Sequence, residues 1–146
     1  MAPPAPLRVA VLGARGRMGS EVCRAVRAAD GLELVDVDGY DATGARVADP
    51  AAAVVASGAQ VAVDFTTPDA VMGNLRTLVA GGVHAVVGTS GFDEERLAQL
   101  REQLAAAPGV GVVVAPNFGL GAVLMTRFAR EAAPLTAGRA GTPGRR

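Results

Sequence analysis

Seven residues near the start of the chain, Gly13-Ala14-Arg15-Gly16-Arg17-Met18-Gly19, have the make-up of a loop that grips phosphate. They follow a short apolar run, Leu7 to Leu12, and lead at once into a helical pattern. This is a G-x-x-G-x-x-G variant of the dinucleotide-binding fingerprint, in the strand-loop-helix setting the fingerprint requires. The first glycine permits a tight turn, the second lets backbone approach a pyrophosphate, and the third lets helix and strand pack closely. The N-terminus of the following helix offers free N–H groups and a partial positive charge to the phosphates. Arg15 and Arg17 add full positive charge in the loop itself.

Other residues extend that chemistry from phosphate to nucleoside. A second apolar run ends in Val35-Asp36-Val37-Asp38, and Asp38 lies about twenty residues past Gly19, where an acid meets the adenine ribose hydroxyls. Asp36 is the rival, because alternation along a strand puts both on one face; Asp38 is preferred as nearer the strand's carboxyl end. A ribose-binding Asp favours NAD, while the two loop arginines suit a 2′-phosphate, so NADH and NADPH both stay open. Three further strand ends carry small or hydroxylated residues: Asp64-Phe65-Thr66-Thr67-Pro68, Gly88-Thr89-Ser90-Gly91 and Ala115-Pro116-Asn117-Phe118. Thr67 and Asp93 read as helix caps. Gly88 to Ser90 and Asn117 read as dinucleotide contacts, because no helix starts close enough to need them.

Positioning these groups takes alternating strands and helices. Strands are expected over Leu7–Leu12, Leu32–Val37, Val61–Phe65, Ala85–Val87 and Val110–Ala115. Helices are expected over Ser20–Ala29, Pro50–Ala56, Pro68–Ala80, Asp93–Ala107 and Gly121–Ala133, with residues 39–49 a polar connection. Mostly apolar strands alternating with helices mean a parallel sheet covered on both faces. The expected fold is therefore α/β, a doubly wound parallel sheet of Rossmann type, with ligands held beyond the carboxyl ends of the strands. Residues 1–6 read as a disordered start, 7–133 as one NAD(P)-binding domain and 134–146 as a disordered tail rich in Gly, Pro and Arg.

Composition narrows the alternatives. The 146 residues give room for one domain with a full core. Half are hydrophobic and the formal net charge is zero, so there is no basic field to attract nucleic acid or an anionic membrane. No export signal or spanning segment is visible, which gives an expectation of a cytoplasmic protein. All fourteen basic residues are Arg, so no Schiff-base lysine or lysine acid can come from this chain. That also disposes of short-chain and extended dehydrogenases, whose chemistry needs a Tyr and a Lys separated by three residues; Tyr40 has no such partner. One cysteine, Cys23, and one histidine, His84, argue against a disulfide or a zinc site. Cys23 reads as a small buried helix residue. His84, at the N-terminal edge of its strand and away from the crevice, reads as structural.

The ordered set Gly13–Gly19, Asp64–Pro68, Val71-Met-Gly-Asn74, His84–Phe92 and Ala115–Ala122 resembles the 4-hydroxy-tetrahydrodipicolinate reductase family over residues 7–133. Ser90 stands where that family usually has Thr. The resemblance implies an NAD(P)H-dependent oxidoreductase of the diaminopimelate route to lysine, which delivers hydride to the ring of a cyclic imine dicarboxylate with loss of water. The implied cofactor contacts are Gly13, Ala14, Arg15, Gly16, Arg17, Met18, Asp38, Gly88, Thr89, Ser90, Ala115, Pro116, Asn117 and Phe118. Phe65 and Thr66 are implied to flank the nicotinamide. The family also has a second domain that forms its tetramer and carries a His-His pair, a Lys and a Ser-Gly-Thr segment for the substrate carboxylates. The likeness ceases near Pro134, so no catalytic residue and no metal ligand is expected in this chain, its oligomeric state is open, and little turnover is expected from it alone. The alternative is a truncated, non-catalytic dinucleotide-binding module. The abrupt change of composition at Pro134 is the mark expected of a truncated or frameshifted gene, which the DNA past codon 146 would reveal.

Overall fold

A computed structural model describes residues 4–35 and 48–115. Five strands, β1 (Leu7–Leu12), β2 (Leu32–Val35), β3 (Val61–Asp64), β4 (His84–Val87) and β5 (Val112–Val114), form one sheet in the order β2-β1-β3-β4-β5. Every pairing is parallel. Between them run α1 (Arg17–Ala28), α2 (Pro50–Ala56), α3 (Pro68–Ala80) and α4 (Glu94–Ala105). The chain leaves β1 for β2 on one side and returns to β3 on the other, so the strand order reverses between β1 and β3. In an open α/β sheet that reversal opens a crevice at the carboxyl ends of the strands.

The core forms because the strands carry apolar residues that helices can cover. Ala10, Leu12, Ala62, Ala85 and Val87 from the sheet are buried with Val54 of α2 and Val71, Leu75 and Leu78 of α3. Val71, Leu75, Leu78 and Val79 recur at the spacing of one helical face, and all are buried. Fully burying one such Leu is worth about 1.5–3 kcal/mol, so this stripe fixes α3 on the sheet. The Cys23 position expected from helical spacing is confirmed: with Gly19 and Val26 it makes the buried side of α1.

Several boundaries differ from expectation for identifiable reasons. Helix α1 starts at Arg17 rather than Ser20, because Gly16 has the extended backbone of an N-cap (φ −73°, ψ 164°) and its carbonyl accepts from the Ser20 N–H at 2.9 Å. Strand β4 gains His84, whose N–H donates to the Gln60 carbonyl at 3.0 Å. Strands β3 and β5 are shorter than expected; β3 ends at Asp64, where the side chain takes up local backbone as described below. Helix α4 begins after Asp93, whose carboxylate accepts from the Arg96 N–H at 2.9 Å, as expected of a cap. Thr67 holds the N-cap position of α3 but makes no side-chain cap bond; its carbonyl instead accepts from the Ala70 and Val71 N–H groups. The expected end of β2 at Val37 and the helix over Gly121–Ala133 lie outside the described residues.

Candidate functional site

Strand register lines up the chemistry. Leu12 pairs with Asp64, Asp64 with Val87, and Val87 with Val114, so four strands end in one row. The next residues are Gly13, Phe65, Gly88 and Ala115. Backbone bonds continue past the row: Phe65 N–H donates to Leu12 O (3.0 Å), Gly88 N–H to Asp64 O (2.9 Å) and Ala115 N–H to Val87 O (2.9 Å). Gly13, Gly88 and Ala115, three of the candidates named from sequence, thus stand along one edge of the sheet with Phe65 among them.

The glycines are fitted to their neighbours. Gly13 has φ +80°, and a Cβ there would lie 2.7 Å from the Phe65 carbonyl oxygen. A Cβ on Gly19 would lie 2.1 Å from the Gly13 carbonyl oxygen, so any side chain would drive helix α1 off the turn. Gly16 is looser: its Cβ would meet only that same oxygen, at 3.2 Å. Its N–H donates to Gly13 O at 2.9 Å, which closes the turn. Gly13 and Gly19 thus serve the turn and the helix packing expected of the first and third glycines, while Gly16 is the one with room beside its backbone.

Helix α1 presents its first turn to this edge. Gly16 supplies no side-chain cap, the first turn holds no acidic residue, and Arg17 places a positive charge at the positive end of the dipole. That arrangement is unfavourable by about 0.3–1 kcal/mol unless an anion neutralises it. The N–H groups of Arg17, Met18 and Gly19 take no backbone partner among the described residues. Met18 is exposed at 43% and Arg15, Gly16 and Arg17 are also exposed, while Ala14 is half-buried. The loop therefore combines oriented donors, positive side chains and an open face, which suits an anion such as a pyrophosphate.

On the far side of the row, Gly88 packs against the Phe65 ring. A Cβ at Gly88 would come within 2.1 Å of the ring. Thr89 turns its hydroxyl inward. It is 5% exposed, and its Oγ1 lies 3.4 Å from both the carbonyl and a carboxylate oxygen of Asp64. Ser90 is exposed at the surface. The loop is tied down by Arg96, whose Nη1 donates to Gly91 O (3.1 Å) and Pro68 O (2.8 Å). Asp36, Asp38, Pro116, Asn117 and Phe118 lie outside the described residues.

One cluster was not singled out from sequence. Asp64 is fully buried, and its carboxylate accepts from Thr66 N–H (2.8 Å), Thr66 Oγ1 (2.6 Å) and Asn74 Nδ2 (2.8 Å). The signal was present in the D-x-T…N pattern of residues 64, 66 and 74, but only the fold brings the helical Asn74 onto the strand end. His84, by contrast, sits where the sequence placed it, at the opposite end of β4. Its Nδ1 accepts from the Gly111 N–H at 2.9 Å, a structural use. Among the described residues no His, Cys, Asp or Glu group could hold a metal ion.

Comparison with known proteins agrees with this geometry. The family described as dihydrodipicolinate reductase, N-terminus, matches residues 7–118. The chain is 56% identical over 128 residues to the 4-hydroxy-tetrahydrodipicolinate reductase of Nocardia farcinica, covering 87% of this chain and 48% of that protein. With the reductase of the same name from Thermobifida fusca it shares 57% identity over 128 residues, covering 88% and 48% respectively. Among solved structures, a dipicolinate-bound dihydrodipicolinate reductase from Paenisporosarcina sp. TG-14 matches with a TM-score of 0.69 and 31% identity, over 88% of this chain and 54% of that one. The chain spans about half the length of the curated relatives it matches. A family match that spans residues 7–118, about three quarters of the chain, leaves one conclusion: it belongs to the dihydrodipicolinate reductase family, in the part described as its N-terminus.

Proposed function

We propose that this chain binds NADH or NADPH across the carboxyl edge of its sheet, as the dinucleotide-binding half of a 4-hydroxy-tetrahydrodipicolinate reductase. The observation that carries the reading is the row Gly13, Phe65, Gly88 and Ala115, set beside an uncapped helix N-terminus that holds Arg17. The residues fit the group: the glycines clear the backbone, and the first-turn donors face an anion. In this reading Gly13, Ala14, Arg15, Gly16, Arg17 and Met18 hold the pyrophosphate. Asp38 takes the adenine ribose, and Gly88, Thr89, Ser90, Ala115, Pro116, Asn117 and Phe118 line the path of the nicotinamide half. Because the Thr89 hydroxyl is turned onto Asp64, its contact comes through backbone.

The dinucleotide, when bound, supplies hydride, and the acceptor by family likeness is the ring of a cyclic imine dicarboxylate. This chain's part is to bind, orient and shield. The sequence contains no Lys to donate the proton that must accompany hydride, and its one imidazole, His84, is engaged with Gly111 at the opposite end of its strand. That observation favours a second reading, a dinucleotide-binding module without turnover of its own. A steady-state assay with freshly made imine substrate separates them. Binding without turnover by the 146-residue chain supports the module reading, and robust turnover supports the reductase reading. Supporting a cytoplasmic setting, no described helix is long and apolar enough to cross a membrane.

A further inference from the structure

Asp64 is a fully buried carboxylate that forms no ion pair with any described arginine, yet every polar neighbour that reaches it is a donor. Its Oδ1 receives the Thr66 N–H and hydroxyl, its Oδ2 receives the Asn74 amide, and Thr89 Oγ1 lies 3.4 Å from Oδ1. Asn74 also reaches Thr66 Oγ1 at 3.3 Å, so that hydroxyl is both donor and acceptor inside the cluster. These groups come from four places: the end of β3, the β3–α3 connection, the second turn of α3 and the residue after Gly88. A buried polar side chain is costly unless it is hydrogen-bonded, and here the cost is met by these donors together.

The position of the cluster says what this rigidity serves. Phe65 lies between residues 64 and 66, both held by the carboxylate or its backbone. On one side its carbonyl abuts Gly13, and on the other its ring abuts Gly88. Fixing Asp64 and Thr66 therefore fixes the wedge that spaces the Gly13 turn from the Gly88 loop. Asp64 itself is wholly inaccessible, so it cannot touch a ligand.

We propose that Asp64 is a positioning residue for dinucleotide binding, its carboxylate clamping Thr66, Asn74 and Thr89 so that Phe65 sets the width of the crevice between the Gly13 and Gly88 loops. The proposal rests on the dinucleotide reading above. It is tested on the 146-residue chain by titration with NADH, following nicotinamide fluorescence, together with a thermal melt of each variant. Asp64→Asn turns an amide donor toward the Asn74 donor and is expected to weaken NADH binding about tenfold, since displacements of about 1 Å at a site can cost more than that. Exchanging the partners, D64N with N74D, restores one donor facing one acceptor and is expected to recover affinity to within about threefold, the non-additivity of a coupled pair. Thr66→Val should weaken binding while Thr66→Ser retains it, and this pair decides the matter if the Asp64 variants do not fold. Folded variants that melt lower yet bind NADH as the parent does would overturn the proposal, as would a double exchange that recovers the melt but not the affinity. A parent chain that is folded and binds no NADH would instead overturn the dinucleotide reading itself.

Discussion

The three glycines of the loop offer a quantitative contrast, because an identical added methyl meets a different obstacle at each. In Gly19→Ala the new Cβ stands 2.1 Å from the Gly13 carbonyl oxygen and 2.7 Å from its carbon. Ordinary contact begins near 3.4 Å, so helix and turn must part by about 1.3 Å. The obstacle is backbone, which cannot rotate aside, and the displaced oxygen is the one that accepts the Gly16 N–H. Overpacking costs about 1–3 kcal/mol, and a rigid obstacle puts this case at about 3 kcal/mol, a drop in melting temperature of roughly 10 °C or more. In Gly16→Ala the same oxygen is 3.2 Å away and φ is −73°, so only a few tenths of an ångström are needed. The loss there is about 0.5 kcal/mol, mostly the poorer N-cap. Its methyl instead stands where a pyrophosphate would approach the backbone, and NADH affinity should fall at least about tenfold. Circular-dichroism melts and fluorescence titrations of the two variants measure both quantities. A Gly16→Ala chain that binds NADH undiminished, or a Gly19→Ala chain that melts with the parent, would refute the division of roles.

Three other substitutions test the scaffold by thermal melts. Gly73→Ala, on an exposed position of α3 with nothing within 4 Å of the added Cβ, should stabilise by about 0.5–1 kcal/mol; a lower melting temperature would contradict the open space seen there. Asp93→Ala removes the carboxylate that accepts the Arg96 N–H and should cost about 1 kcal/mol, whereas Thr67→Ala, which loses no cap bond, should cost clearly less. Leu75→Ala, at a fully buried position in the α3 stripe, should cost about 2–5 kcal/mol.

Much of this was legible in the sequence because it depends on local rules. The apolar run of β1, Pro at the start of α2 and α3, and Gly after α3 set those three elements to the residue. The three-glycine loop announced its chemistry because steric need for glycine is written in the residue type. What escaped depends on contacts distant in sequence. Helix α1 could be entered at Arg17 only because Gly16 caps it without a side chain, and no polar cap residue marked the spot. Thr67 had the type and place of a cap, but type alone does not aim a hydroxyl. Thr89 was named from its hydroxylated type, but only the pairing of β3 with β4 shows that this hydroxyl lies against Asp64. The Asp64 clamp joins residues ten and twenty-five positions apart, a separation at which no local pattern speaks.

We propose above that the carboxyl edge of this sheet holds a nicotinamide dinucleotide. Titrating the folded 146-residue chain with NADH and NADPH in parallel, and following nicotinamide fluorescence, tests it most directly. Saturable binding of at least one of them, at one per chain and weakened at least about tenfold in Gly16→Ala, is the predicted result. A chain whose circular dichroism shows the α/β fold but whose titration with both cofactors stays linear would contradict it.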